Sequence, residues 1–154
     1  MRYLSIFIFT IIFSCNGQKK AAMEKGVALN ESAGKLTMVL HDNYSGSSSP
    51  ETLIIKDSKS LKKFFIQVNK TRKPGLPVPE VDFTKEMVLI HCSGEQPLGR
   101  QITLAVADEN EYELIVRSSI EKKKGRTTSS VIVSPFRVYK MPLTSKKITF
   151  QKER

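Results

Sequence analysis

Residues 86–92 read EMVLIHC. From Met87 to Ile90 the run is unbroken apolar, with no polar residue alternating into it. A strand with one wet face alternates; a continuous run of this length marks a strand covered on both faces. His91 and Cys92 close it, and SGEQPLGR (93–100) follows as a turn. The rest of the chain has to supply the covering layers.

Upstream, KLTMVLHDNYSG (35–46) begins as a strand, alternating Leu36, Met38 and Leu40, and ends in a polar turn. After the loop SGSSSP comes a β-branched strand from Thr52 to Lys56. The clearest helix follows. Asp57 or Ser58 caps it by accepting a hydrogen bond from a free backbone N–H. Leu61, Phe64, Phe65 and Val68 fall on one face, with Lys59, Lys62, Lys63 and Lys70 around the remainder. The helix is predicted to lie on a sheet with its lysines in water. TRKPGLPVPEVDF (71–83) carries three prolines and is read as an ordered or extended connector.

Downstream, Ile102, Leu104 and Val106 alternate against Thr103 and Ala105, DENE (108–111) is a turn, and YELIVRSS (112–119) is the next strand. IEKKKGRTTSS (120–130) reads as a long polar connection. VIVSPFRVYKMP (131–142) holds one or two short strands broken near Pro135, and KKITFQK (146–152) is a last strand. The expectation is six to eight strands in antiparallel order with one main helix inserted early. That is an α+β or mostly β domain, a mostly antiparallel sheet or sandwich, and not a parallel βαβ sheet.

The amino terminus reads differently. The apolar run of about Tyr3 to Phe13 falls short of the roughly 20 residues a membrane-crossing helix needs. Arg2 precedes it and Ser14 closes it, the layout of a secretory signal peptide over residues 1–14. Ile12-Phe13-Ser14-Cys15 resembles the bacterial lipobox, in which the cysteine takes diacylglycerol on its sulfur and becomes the first residue after cleavage. Two or more acyl chains make a durable anchor where one does not. Residues 15–34 are polar and glycine-containing, as a flexible tether would be, and 35–154 give one domain of ordinary size.

The formal charge is +10, and loss of residues 1–14 removes only Arg2. A basic chain meets nucleic acid, an anionic surface or an acidic protein patch. Export with a lipid anchor argues against nucleic acid, and the lysines form no aromatic-interleaved stripe. The densest cluster, Glu121 to Arg126, reads as a solvated loop.

Chemistry is sparse. His41 and His91 are the two histidines. His91 and Cys92 are adjacent, and neighbours on a strand point to opposite faces, so they make a poor thiol–imidazole pair. Cys92 reads as a small core hydrophobe. With Cys15 lipidated it has no disulfide partner. The sequence offers no nucleophile elbow, no zinc-protease helix and no phosphate loop. No catalytic residue, cofactor or metal site is expected, and a binding or structural module is favoured over an enzyme.

Three stretches, YSGSSSPETLIIKDSKSLKKFF, PEVDFTKEMVLIHCSGEQPLGRQITLAV and SPFRVYKMP, together resemble the C-terminal domain of PrcB, a protease-complex lipoprotein. The matching features are Tyr44-Ser45-Gly46, the helix through Phe64 and Phe65, Val81-Asp82-Phe83 before the apolar strand, and Pro135-Phe136. The resemblance runs from about Leu40 to the end. It implies a non-catalytic, lipid-anchored subunit that binds and stabilises a secreted protease. The signal and lipobox reading gives the expected location: exported to the bacterial cell envelope and anchored by lipid, with the outer membrane the expected membrane. The family's Gly-Gly-Tyr turn is here Gly99-Arg100-Gln101. The expected contact surface combines Leu98, Gly99, Arg100 and Gln101 with Pro135 and Phe136, and Tyr44 as a surface anchor. The same residues admit plainer roles: a hairpin connection at Gly99, an edge strand with a core aromatic at Pro135-Phe136, and turn packing for Tyr44. Two alternatives stand beside this reading: an inhibitor that blocks a protease cleft, and a basic lipoprotein that adheres to surface polymer.

Cells making the full chain are expected to incorporate labelled palmitate into it and retain it in the membrane fraction. Cys15→Ala is expected to lose both. Membrane retention of that variant, undiminished, would rule out the lipid anchor.

Overall fold

The computed structural model describes residues 36–122 and 130–152. The expected signal peptide, Cys15, the expected tether and most of the basic cluster of residues 121–126 lie outside the described residues. The described elements are β1 (Thr37–Asp42), β2 (Pro50–Ile55), α1 (Ser58–Val68), β3 (Glu86–Ser93), β4 (Gln96–Pro97), β5 (Arg100–Glu109), β6 (Glu113–Lys122), β7 (Ile132–Val133), β8 (Phe136–Pro142) and β9 (Lys147–Lys152).

β3 is an inner strand. It pairs antiparallel with β2 on one side and β8 on the other, in a four-stranded sheet ordered β1-β8-β3-β2. Met87, Val88, Leu89 and Ile90 are all fully buried. Alternation sends them to two different cores. Val88, Ile90 and Cys92 pack with Leu61, Phe65 and Val68 of α1. Met87 and Leu89 pack with Leu104, Leu114 and Val116 of a second sheet, ordered β5-β6-β9. Helix, sheet and sheet thus form three layers, and the expected α+β, sandwich-like architecture of mostly antiparallel strands is what the chain adopts.

The helix begins as the sequence predicts. The Asp57 carboxylate accepts from the Ser60 backbone N–H at 2.8 Å and from the Ser60 hydroxyl at 2.7 Å. Those two bonds hold its carboxyl below the ordinary carboxylate pKa. Phe64, Phe65 and Phe136 meet edge to face, with centroids 5.3–6.5 Å apart, the arrangement ring quadrupoles favour. Lys59, Lys62, Lys63 and Lys70 are exposed.

The proline-rich connector is ordered. The Asn69 side chain accepts from Leu76 N–H at 2.8 Å and donates to the Leu76 carbonyl at 2.9 Å. Leu76, Val81 and Phe83 then pack against the helix-side core. On the other side of the four-stranded sheet, the Tyr139 hydroxyl of β8 accepts from Leu104 N–H of β5 at 3.1 Å, a buried bond between the two sheets.

Three sequence expectations need correction. β9 runs parallel to β6, not antiparallel. Between them the chain leaves the second sheet, passes through β7 and β8, and returns in the direction it left, as a parallel crossover requires. β6 extends to Lys122, into the stretch read as polar connection, because Ile120, Glu121 and Lys122 pair with Ile102, Gln101 and Arg100. Pro135 does not open an edge strand: β8 lies between β1 and β3. Proline is tolerated there because it stands just before the strand, where its carbonyl still accepts from Ser93 N–H at 2.9 Å though it has no N–H to give.

Phe136→Ala removes a fully buried ring shared by α1 and β8. It is expected to destabilise the domain by about 3–5 kcal/mol, read as a fall in the urea midpoint at unchanged slope.

Candidate functional site

The chain crosses between the two sheets three times, after β3, after β6 and after β8, and the first two crossings build the site, through residues 94–99 and, in its described part, 130–135. The first crossover leaves β3 through Gly94, at φ 71°, where an added Cβ would lie 2.8 Å from the Pro50 nitrogen. A side chain has no room there. The two crossovers then pair with each other: β4 with β7, Gln96 opposite Val133 and Pro97 opposite Ile132. Leu98 N–H donates to the Val131 carbonyl at 2.9 Å. The buried Gln96 side chain reaches the Arg100 carbonyl at 3.4 Å.

This arrangement corrects the reading of QPLGR as a hairpin connection. Gly99 turns the chain, with φ 108°, but β4 and β5 pair with different strands in different sheets. An added Cβ at Gly99 would meet nothing within 4 Å, so the backbone angle and not crowding calls for glycine.

A cleft of about 320 Å³ opens beside this turn. Leu98, Gly99, Arg100 and Gln101 form one wall, and Val133, Pro135 and Arg137 another. Met38, His41 and Asp42 of β1 and Asn43 just after it complete it. Phe136 abuts the wall, but it has no exposed surface and its ring belongs to the helix-side core. It therefore holds the site in place and offers no ring to a partner, a correction to its expected role as a contact.

Tyr44 stands beside the cleft and does not line it. It is 45% exposed. Its N–H donates to the Asp42 carboxylate at 2.8 Å, and the Arg72 guanidinium sits 5.7 Å from its ring centre. Arg72 also binds both Asp42 carboxylate oxygens and donates to the Tyr44 carbonyl at 3.2 Å. The fork geometry of guanidinium suits this double acceptance. The loop after β1 is thus pinned to the segment after the helix.

Sequence spacing did not reveal a polar row across the four-stranded sheet. His41 of β1 pairs with Arg137 of β8, Arg137 with His91 of β3, and His91 with Thr52 of β2. Cross-strand partners share a face, here the face toward the second sheet. Thr52 Oγ1 and His91 Nδ1 are 2.9 Å apart. The outer end of the row, His41 and Arg137, forms part of the cleft. No local pattern links residues so far apart along the chain.

Cys92 lies on the opposite face from His91, as alternation predicts. It is fully buried, and burial, aided by the Glu51 carboxylate, pushes its thiol up to about 12. Such a thiol is a poor nucleophile at neutral pH. Among the described residues no three His, Cys, Asp or Glu side chains gather as a metal-binding group. No helix among them is long and apolar enough to cross a membrane.

In a Cys15→Ala chain, where Cys92 is the remaining thiol, native protein at pH 8 is expected to resist a thiol-reactive chromogen and unfolded protein to react at once. Rapid labelling of the folded form would refute the burial described here. Comparison of the chain with protein-family models, with curated proteins and with solved structures finds no match.

Proposed function

We propose that this chain is a non-catalytic, lipid-anchored envelope protein that holds a protein partner in the cleft beside the Gly99 turn. Cys15 carries the anchor, and the partner is an exported protein, with a secreted protease the one the sequence resemblance suggests. Nucleic acid is not its ligand. One observation carries the reading: Leu98, Gly99, Arg100 and Gln101 share a concave site with Pro135, which lies far from them in sequence. A concave site built by two crossovers that brace each other presents a preformed surface, and preformed surfaces bind at lower ordering cost. Tethering adds to this. An anchored chain meets a partner near the membrane at raised effective concentration, so a modest contact suffices.

The half-buried Gln101 in the cleft wall and the 67% exposed Ile66 on the outer face of α1 make a matched pair for the test. A photocrosslinking residue at position 101 of the full chain, in cells, is expected to trap one predominant protein. The same residue at position 66 is expected not to. Equal capture at both positions, or none at 101, would overturn the proposal. If the trapped protein is a protease, its activity with and without the chain separates a stabilising subunit from an inhibitor.

A further inference from the structure

The cleft has a charge pattern that narrows what it holds. Arg100 on the turn is exposed, and Arg137 on the facing strand is half-buried in the row with His41. The one acid in the lining, Asp42, is occupied: Arg72 takes both its oxygens. The salt bridges among the described residues use Arg72, Lys85, Lys140 and Lys146, and none uses Arg100 or Arg137. Arg137 instead reaches the Met38 thioether at 3.7 Å, a weak acceptor. Two guanidiniums in one concavity therefore keep their capacity for bidentate bonding to carboxylate. A concave site, which holds less water around a bound carboxylate, strengthens such bonds over those on open surface.

The remaining walls favour a peptide over a simple anion. Leu98, Val133 and Pro135 give apolar contact in the same cleft. Among the described residues β1 is an edge strand paired with β8 alone, and it lines the cleft through Met38, before its bulge at Val39, and His41 and Asp42, after it. Its outward backbone groups can hydrogen-bond an extended chain. A lipid headgroup would use the arginines and leave the edge and the apolar walls idle.

We infer that the cleft binds an extended acidic segment of the protein partner, laid along the end of β1 with its carboxylates on Arg100 and Arg137. This rests on the partner-binding reading above and adds the partner's chemistry. The test uses the purified full chain in detergent, with fluorescence anisotropy of a short labelled peptide alternating Glu and Val. Its Gln counterpart and glycerophosphoglycerol, the soluble headgroup of phosphatidylglycerol, serve as comparison ligands, the headgroup as a competitor. The Glu peptide is expected to bind about tenfold or more tightly than the Gln peptide, and Arg100→Glu to weaken it about tenfold. Arg100 is exposed, so that variant keeps the fold, and Arg137→Gln supplies a milder second measure. Lys59→Glu/Lys63→Glu removes charge from the outer helix face and is expected to change affinity by less than about twofold. Equal binding of the Gln peptide, or an equal loss in the helix variant, would overturn the inference. So would arginine-dependent binding of glycerophosphoglycerol, read by isothermal titration calorimetry, without peptide binding. Crosslinking from position 101 separates the two levels. An undiminished partner yield in Arg100→Glu cells removes the acidic segment and leaves the partner; no yield in the unaltered background removes both.

Discussion

Every other part of the fold answers to the burial of β3. A strand from which water is excluded on both faces needs each backbone N–H and C=O paired, because an unpaired buried group costs about as much as a lost hydrogen bond. β2 and β8 meet that requirement in register along the strand. Its side chains impose a second one. Met87 and Leu89 point one way and Val88 and Ile90 the other, each residue fully buried. Burial of such a side chain is worth about 1.5–3 kcal/mol, so both faces demand a layer. α1 with its three-phenylalanine cluster covers one, and the second sheet covers the other, tied across by the Tyr139 hydroxyl.

The cleft is a consequence of that layering. A chain that builds two stacked sheets has to cross between them, and its crossovers carry backbone polar groups that need partners. Here the crossovers at residues 94–99 and 130–135 satisfy each other through β4 and β7 and the bond from Leu98 to Val131. The hollow forms where these paired crossovers meet the end of β1. Its walls are therefore held by ladder hydrogen bonds and not by loose loops, and the arginines project from a braced frame. Arg72, binding Asp42 from the far side of the chain, fixes the remaining wall and takes up the acid that would otherwise neutralise the site.

The site's residues were only partly legible along the chain. The turn of residues 98–101 and Pro135 stand out by composition, and they do converge. Phe136 stands out equally and turns inward, because its place in β8 puts it on the helix face with Phe64 and Phe65. Tyr44 belongs to the neighbouring Arg72–Asp42 clamp. The row of His41, Arg137, His91 and Thr52 carries no signal in spacing, since it exists only through the registers of three strand pairs.

The α+β class, the helix with its Asp57 cap, the double-sided burial of β3 and the opposed faces of His91 and Cys92 all follow from the sequence. Each depends on local periodicity, on a side chain bonding to a backbone three residues away, or on simple alternation, and those are written within a few neighbouring residues. The parallel pairing of β9 with β6, the inner position of β8, the turn at Gly99 that joins two sheets, and the cleft itself were decided only by tertiary structure. The reason is physical. Strand direction and neighbours are set by the path the chain takes through the other sheet. That path is chosen by burying both faces of β3 at once, a constraint that acts between residues far apart in sequence.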